Sequence, residues 1–273
     1  MPKYVVLEKH VGETPLQAVE KHRAEHPELS GVSLAYAGRL DPMASGKLLV
    51  LIGDECRKQD EYHGLDKAYQ FEVLLGSSSD TGDVLGLVDW QKATAFDKKD
   101  LLKTAKSLVG HLSLPYPKFS SRTVKGKPLH IWTLENRLDE IDIPSADTMI
   151  HHLKLTNLRQ ESVQSVYDEA MRKIESVPTV TDESKALGRD FRRSEVRVAW
   201  KVWREHHRES VVQVATFECI ASSGTYMRSL SEEIGRRLGT VGLAFSIHRS
   251  QIGDYRPLLR GFGFWKKRFK GSR

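Results

Sequence analysis

Cysteine is scarce in this chain: Cys56 and Cys219 are the only two among 273 residues. They lie beside apolar runs without metal-ligand spacing, so buried, reduced thiols are expected rather than a disulfide framework. No apolar run reaches the ~18 residues that would cross a bilayer. The opening Met-Pro-Lys-Tyr-Val-Val-Leu-Glu-Lys reads as a charged strand and not as a secretion signal, so a cytoplasmic protein with no membrane contact is expected. A Walker A loop is missing, and Gly261-Phe-Gly263 opens no helix after a strand, which leaves nucleotide and dinucleotide chemistry without support. Among eleven histidines the pairs His151-His152 and His206-His207 are adjacent in sequence. Adjacent side chains diverge on a strand or a helix, so structural histidines are expected and no metal site. Ser223-Gly-Thr225 lacks the form of a nucleophile elbow.

What is present describes a globular chain with 39% hydrophobic and 29% charged residues, long enough to bury a large core. The net charge of +6 is concentrated at one end. From Arg256 to Arg273 there are seven basic residues and no acidic one, interleaved with Phe262, Phe264, Trp265 and Phe269. That combination suits tracking phosphates while stacking on bases, or else aromatics packed on the domain under solvated charges.

Strands are expected at Tyr4–Glu8, Lys47–Ile52, Lys67–Leu75, Met149–Leu155, Val211–Ile220 and Val241–Ile247, from alternation or short apolar runs. Helices are expected from Pro15 to His26 (with Leu16 and Val19 inward), from an Asp54 cap to Tyr62, over Phe96–Val109 and over Tyr226–Leu238. Residues 76–83 read as a loop, and Val124-Lys-Gly-Lys127 as a tight turn exposing basic side chains. Between 160 and 210 the character changes. A helical stripe of Val163, Val166, Tyr167, Ala170, Met171 and Ile174 is followed by a polar linker, then by Phe191–Trp203, which fits both periods and is read as helix. Without regular βαβ alternation, the expected class is α+β with a mixed sheet.

Asp41 carries the most information. It lies in Tyr36-Ala-Gly-Arg-Leu-Asp-Pro-Met-Ala-Ser-Gly46, just ahead of Leu48-Leu-Val-Leu-Ile52. A residue before proline is pushed out of the helical region, so the Asp41 carboxylate is held in a defined geometry ahead of a strand. An isolated Asp-Pro usually only opens a turn. Here, however, Gly38, Leu40, Asp41, Pro42, Ala44 and Gly46 match a pattern close to Gly-x-Leu-Asp-Pro-x-Ala-x-Gly. The stretch resembles the catalytic motif of the TruB family of pseudouridine synthases. Further segments follow in the family's order: Lys9-x-x-Gly12-x-Thr14, Asp66-Lys-Ala-Tyr-Gln70, Asp80-Thr-x-Asp83 with Gly86, Tyr116-Pro-x-Phe-Ser120, Lys125-Gly126 and Ser223-Gly-Thr-Tyr-Met-Arg228. Matching covers residues 9–159 and 211–255, leaving 160–210 as an insertion and 256–273 as a basic aromatic tail, so a short form without the family's C-terminal PUA domain is expected.

The resemblance implies the pseudouridine synthase fold, a mixed, largely antiparallel sheet flanked by helices. It also implies isomerisation of a uridine in RNA, most specifically position 55 in the TΨC loop of tRNA, with no cofactor or metal. Asp41 would be the nucleophile, at ribose or base. Arg228 would pair with it, which favours the ionised carboxylate a nucleophile must be. Tyr69 would stack on the flipped base and handle protons. Tyr36, Arg39, Lys67, Tyr226 and Ile247 are the expected substrate contacts, with Arg122 and Lys125 as further candidates for phosphates. Tyr36 stands where the family usually has His, and Arg39 where a small residue is frequent, so recognition of the target loop departs from the family pattern. A monomer is expected, although Trp200 and Trp203 offer an interface. Other readings are a catalytically idle RNA-binding or folding module, a synthase acting on another RNA, guided or not, or a glycosidase. The last needs a second carboxylate about 5–10 Å from Asp41, and none of Asp66, Asp80 or Asp83 stands out in the sequence as that partner.

Overall fold

In a computed structural model, which describes residues 1–91, 95–179, 190–208, 210–259 and 262–271, the chain forms a sheet of nine strands with helices packed on it. The first half contains β1 (Tyr4–Lys9), α1 (Pro15–Glu25), β2 (Leu34–Ala37), β3 (Ala44–Ile52), α2 (Gln59–His63) and β4 (Asp66–Leu75). Next come β5 (Ser77–Ser79), β6 (Val88–Trp90), α3 (Lys98–Ser107), β7 (Gly110–Pro115), β8 (Thr123–Val124), β9 (Lys127–Pro128) and α4 (Leu129–Leu134). The second half contains β10 (Ser145–Ser162), α5 (Val163–Ser176), α6 (Arg193–His206), β11 (Val211–Ala221), α7 (Met227–Arg237), β12 (Gly242–Leu259) and β13 (Phe262–Arg268). The sheet runs β1-β3-β12-β4-β11-β10-β7, with β2 on β3 and β13 on β12. Its strand pairs are antiparallel except β12 with β3. The expected α+β class with a mixed, largely antiparallel sheet is what the chain adopts.

Local chemistry accounts for the start of three helices: the Asp97 and Ser162 side chains cap α3 and α5, and a third cap opens α1. Thr14 and Gln17 form a reciprocal capping box and Pro15 opens α1, which buries Ala18 and Val19. Leu16, expected inward, is half exposed, because the helix buries the face that carries Ala18 and Val19. Asp54 caps nothing: Gly53–Lys58 is a 3₁₀ segment with no side-chain cap, and α2 follows it. Part of the expected loop at 76–83 is strand, since Ser77–Ser79 pairs with β6. The segment 123–128 is the expected tight turn, a short hairpin with Lys125 and Gly126 at positive φ. The closing strand is far longer than Val241–Ile247 because it continues as β12 to Leu259.

The β10–β11 connection is part of the main core. Trp200 and Trp203 are fully buried, their indole nitrogens donating to the Val84 carbonyl and to Ser77 Oγ at 3.0 Å each. They therefore do not offer an interface: the period of α6 turns them, with Val196, onto the core while Val198 and Val202 face outward. Residues 180–189, the greater part of the polar linker expected between Ile174 and Phe191, lie outside the described residues, as do Arg260, Gly261 and Arg273. Phe269 of the tail is buried against Val6, Ala37, Leu49 and Ile252. Both cysteines are free; Cys219 is buried and Cys56 only half-buried. His206 and His207 do not diverge. Their rings lie 4.9 Å apart against Trp90, because His207 sits beyond the last helical residue.

One contact locks β3 to β12. Gly46 pairs with Arg249 at φ +106°, and a side chain there would collide with the Arg249 backbone, so only glycine lets the two strands approach.

Candidate active site

Asp41 sits in the turn between β2 and β3. Leu40 and Met43 are buried on either side of it and anchor the turn, leaving the Asp41 side chain 33% exposed in a cleft. Two buried cations hold the turn's backbone. Lys9 Nζ donates to the Ala44 carbonyl (2.5 Å) and more weakly to Pro42 (3.4 Å), while the Gly12 amide also donates to Pro42 (2.8 Å). Arg249 donates to the carbonyls of Gly38 (3.1 Å), Arg39 (3.2 Å) and Lys47 (2.7 Å). Burial pushes Lys9 down to about 8 against the opposing charges of Glu13 and Asp41. Burial also lowers Arg249, against Tyr69 and Asp41.

Arg228, in the first turn of α7, fixes the carboxylate itself. Its Nε donates to Asp41 Oδ2 at 2.8 Å and its Nη2 to Oδ1 at 3.0 Å, a bidentate fork that sets the plane of the carboxylate. The outer edge of the guanidinium is held as well: Nη1 donates to the Thr81 carbonyl (2.8 Å), and both terminal nitrogens reach the Phe119 carbonyl (3.3 Å). Burial acts to lower Arg228, yet the charges of Asp41 and Asp83 outweigh it and the net shift is upward. The guanidinium is thus a fixed cation.

Asp83 lies behind the pair, its Oδ2 3.7 Å from Arg228 Nε and its Oδ1 accepting from Thr81 Oγ1 and the Leu85 amide at 2.9 Å each. Burial raises Asp83 to about 6; Arg228 opposes the shift and Asp41 adds to it. Its folded value lies above its unfolded one, so its contribution to stability is complete below about pH 4 and is lost as pH rises through about 6. Relative to Asp83→Asn, which keeps the amide and hydroxyl contacts, the wild-type protein should lose up to roughly 3 kcal/mol between pH 4 and 7. Urea titrations across that range will show it as converging or diverging curves. Parallel curves would contradict the assignment.

The cleft, about 520 Å³, is lined by all eight side chains expected at the site. Tyr69, on β4, forms the floor beside Arg249, its cross-strand neighbour. Burial raises the Tyr69 phenol, partly opposed by Arg249. Ile247, buried on β12, and Tyr226, packed edge-on against Tyr116 at 5.7 Å, also line the cleft. Half-buried Tyr36 and exposed Arg39 stand at the rim. Lys67 was expected to contact phosphate, but it is buried with its Nζ donating to Ser223 Oγ (2.9 Å) and to the carbonyls of His63 and Leu65. It braces the wall, pushed down by burial to about 8. Arg122 and Lys125 lie away from the floor, Arg122 over the Tyr116 ring and Lys125 donating to the Glu140 carbonyl.

Lys9, Asp83 and Arg249 were not foreseen in these roles. Lys9 and Asp83 stand inside matched segments, but their burial follows only from packing. For Arg249 a signal existed: it follows Ile247 by two, so a strand places it on the same inward face, where a charge must have partners.

This sheet, with an aspartate gripped by a buried arginine in a cleft at its centre, has the fold of the pseudouridine synthases. The chain belongs to the TruB family: residues 29–170 match the model described as TruB family pseudouridylate synthase (N terminal domain). It is 26% identical over 255 residues to tRNA pseudouridine synthase B of Psychrobacter arcticus, covering 92% of this chain and 53% of that one. It is 27% identical over 252 residues to tRNA pseudouridine synthase 4 of Saccharomyces cerevisiae, covering 84% and 62%. The chain thus spans little more than half the length of these relatives. Among solved structures, a chain of a Cbf5-Nop10-Gar1 complex superposes with a TM-score of 0.53 at 14% identity, over 92% of this chain and 48% of that one, a likeness of fold.

Proposed function

We propose that the protein converts uridine to pseudouridine in RNA, with the TΨC loop of tRNA as its target and Asp41 as its nucleophile. The bidentate Asp41–Arg228 pair beside Tyr69, in a cleft wide enough for one nucleoside, is the observation that carries this reading. A uridine extruded from its loop stacks on Tyr69 between Ile247 and Tyr226. Asp41 adds to the ribose or the base, the N1–C1′ bond breaks, the base turns, C5 bonds to C1′ as Asp41 is released, and the proton lost from C5 is matched by one gained at N1. Burial keeps Tyr69 a neutral phenol, able to pass that proton on. The reaction is an isomerisation, so nothing enters or leaves overall. That relatives in a bacterium and in yeast are both named for tRNA supports the substrate.

Incubation with an unmodified tRNA transcript should yield pseudouridine in the TΨC loop, and none there when that uridine is replaced by cytidine. A transcript left unmodified would overturn the reading in favour of a binding module, and pseudouridine elsewhere would redirect the target.

The tail supplies a second RNA contact in this reading. Alternation along the first part of β13 places Phe262 and Phe264 on one face, 74% and 50% exposed, while Trp265 packs on Tyr255 behind them; a bulge at Lys266 then interrupts the alternation, and Lys266 and Arg268 are exposed beside it. Removing residues 258–273 would also extract Phe269 from the core, so surface substitutions are the cleaner test. Phe262→Ser with Phe264→Ser should weaken RNA binding roughly tenfold or more. Lys266→Ala with Arg268→Ala should lower the salt slope by about 2. Unchanged affinity and slope would show the ribbon to be idle.

A further inference from the structure

The β10–β11 connection lies largely beyond the stretch that matches the family model, which ends at residue 170, yet it reaches the active site at Arg192. Arg192 precedes α6 in the left-handed region, at φ +54°, a conformation a non-glycine side chain adopts only when its surroundings hold it there. Its side chain, 14% exposed, makes two contacts to other parts of the chain among the described residues. Nη1 donates to Asp80 Oδ2 at 2.5 Å, and the guanidinium lies over the Phe119 ring, 4.6 Å from its centre. Asp80 is otherwise tied down by the Leu87 amide (2.8 Å).

These two partners are not arbitrary. The carbonyl of Thr81, next to Asp80, and the carbonyl of Phe119 itself receive the outer edge of Arg228. Arg192 therefore joins two segments, 80–83 and 119–120, that are distant in sequence and that both hold Arg228. With the inner edge of Arg228 forked onto Asp41, a shift of either carbonyl tilts the guanidinium and with it the carboxylate.

We propose that Arg192 is a positioning residue: from the β10–β11 connection it clamps together the two backbone carbonyls that aim Arg228, and through Arg228 it sets the attack geometry of Asp41. This rests on reading Asp41 and Arg228 as the reacting pair. The clamp acts on rate rather than on RNA binding, because Arg192 is turned inward onto Asp80 and Phe119 and does not line the cleft.

Arg192→Ala should lower the single-turnover rate of pseudouridine formation at saturating tRNA roughly tenfold or more while Kd for the same tRNA stays within about twofold. Arg192→Lys, which keeps the charge but loses the flat face over Phe119, should fall between. Asp80→Asn should also slow the reaction, and combined with Arg192→Ala it should add little, because both remove one link. A second readout needs no turnover: the ¹⁵N–¹H signal of Arg228 Nε, identified by its loss in Arg228→Lys, should shift or broaden in Arg192→Ala. If wild-type protein forms no pseudouridine, the proposed function fails and this signal alone decides the clamp. An unmoved Arg228 signal overturns the clamp, as does a folded Arg192→Ala protein with an unchanged rate. If Arg192→Ala does not fold, Asp80→Asn and Arg192→Lys carry the same two measurements.

Discussion

Asp41→Asn is expected to lower pseudouridine formation by at least about a thousandfold while leaving tRNA affinity close to that of the wild type. The substitution is nearly isosteric, and the amide oxygen still accepts one bond from the Arg228 fork, so the turn between Leu40 and Met43 should keep its place. What is lost is the carboxylate oxygen that attacks in the proposed mechanism. Affinity should survive because Asp41 contributes one partly exposed side chain among the many that line the cleft. The measurement is single-turnover pseudouridine formation alongside filter binding of the same transcript. Equal rates in the two proteins would remove Asp41 from the mechanism. A parallel loss of rate and binding would make it a recognition residue instead.

Arg228→Met should damage both stability and activity, for separable reasons. Removing the guanidinium leaves Asp83 buried and Asp41 partly buried with their shared cation gone, and breaking a buried pair this way costs about 3–5 kcal/mol at neutral pH. The loss should shrink on acidification toward pH 5. Asp83 is already raised to about 6 with Arg228 opposing the rise, so without Arg228 it takes up its proton more readily. Adding Asp83→Asn to Arg228→Met should restore part of the stability, since the buried charge is gone. Activity should not return, because nothing then orients Asp41. Chemical denaturation at pH 5 and pH 8, with turnover of the same proteins, tests both halves; recovery of activity in the double variant would sink the orienting role of Arg228.

Most strands and helices were legible because their signals are local. The alternation of Tyr69, Phe71 and Val73, the Pro15 start after Thr14, and the apolar stripes of α5 and α6 each follow from the period of the element. The errors fell where a neighbour decides the outcome. β12 runs on past Ile247 because β4, β3 and then β13 offer it hydrogen-bonding partners, and no property of residues 248–259 announces those partners. Ser77–Ser79 is strand only because Val88–Trp90 returns beside it. Trp200 and Trp203, an interface candidate on an isolated helix, became core because residues 77 and 84 present acceptors to their indoles.

For the site, sequence alone determined which residues belong together. Asp41, Tyr69 and Arg228 stand in ordered motifs, and all three line one cleft. It also determined the stiffness of the Asp41 turn, because proline acts on its immediate neighbour. Only tertiary structure decided what surrounds them: that Lys67 faces Ser223 rather than solvent, that Lys9 and Arg249 hold the turn by its carbonyls, and that Asp83 shares Arg228 with Asp41. The physical reason is that burial and charge pairing depend on distances between segments far apart in the chain. A motif records side-chain identity and local backbone preference, and neither sets the desolvation or the partner that a charge meets once the sheet has closed around it.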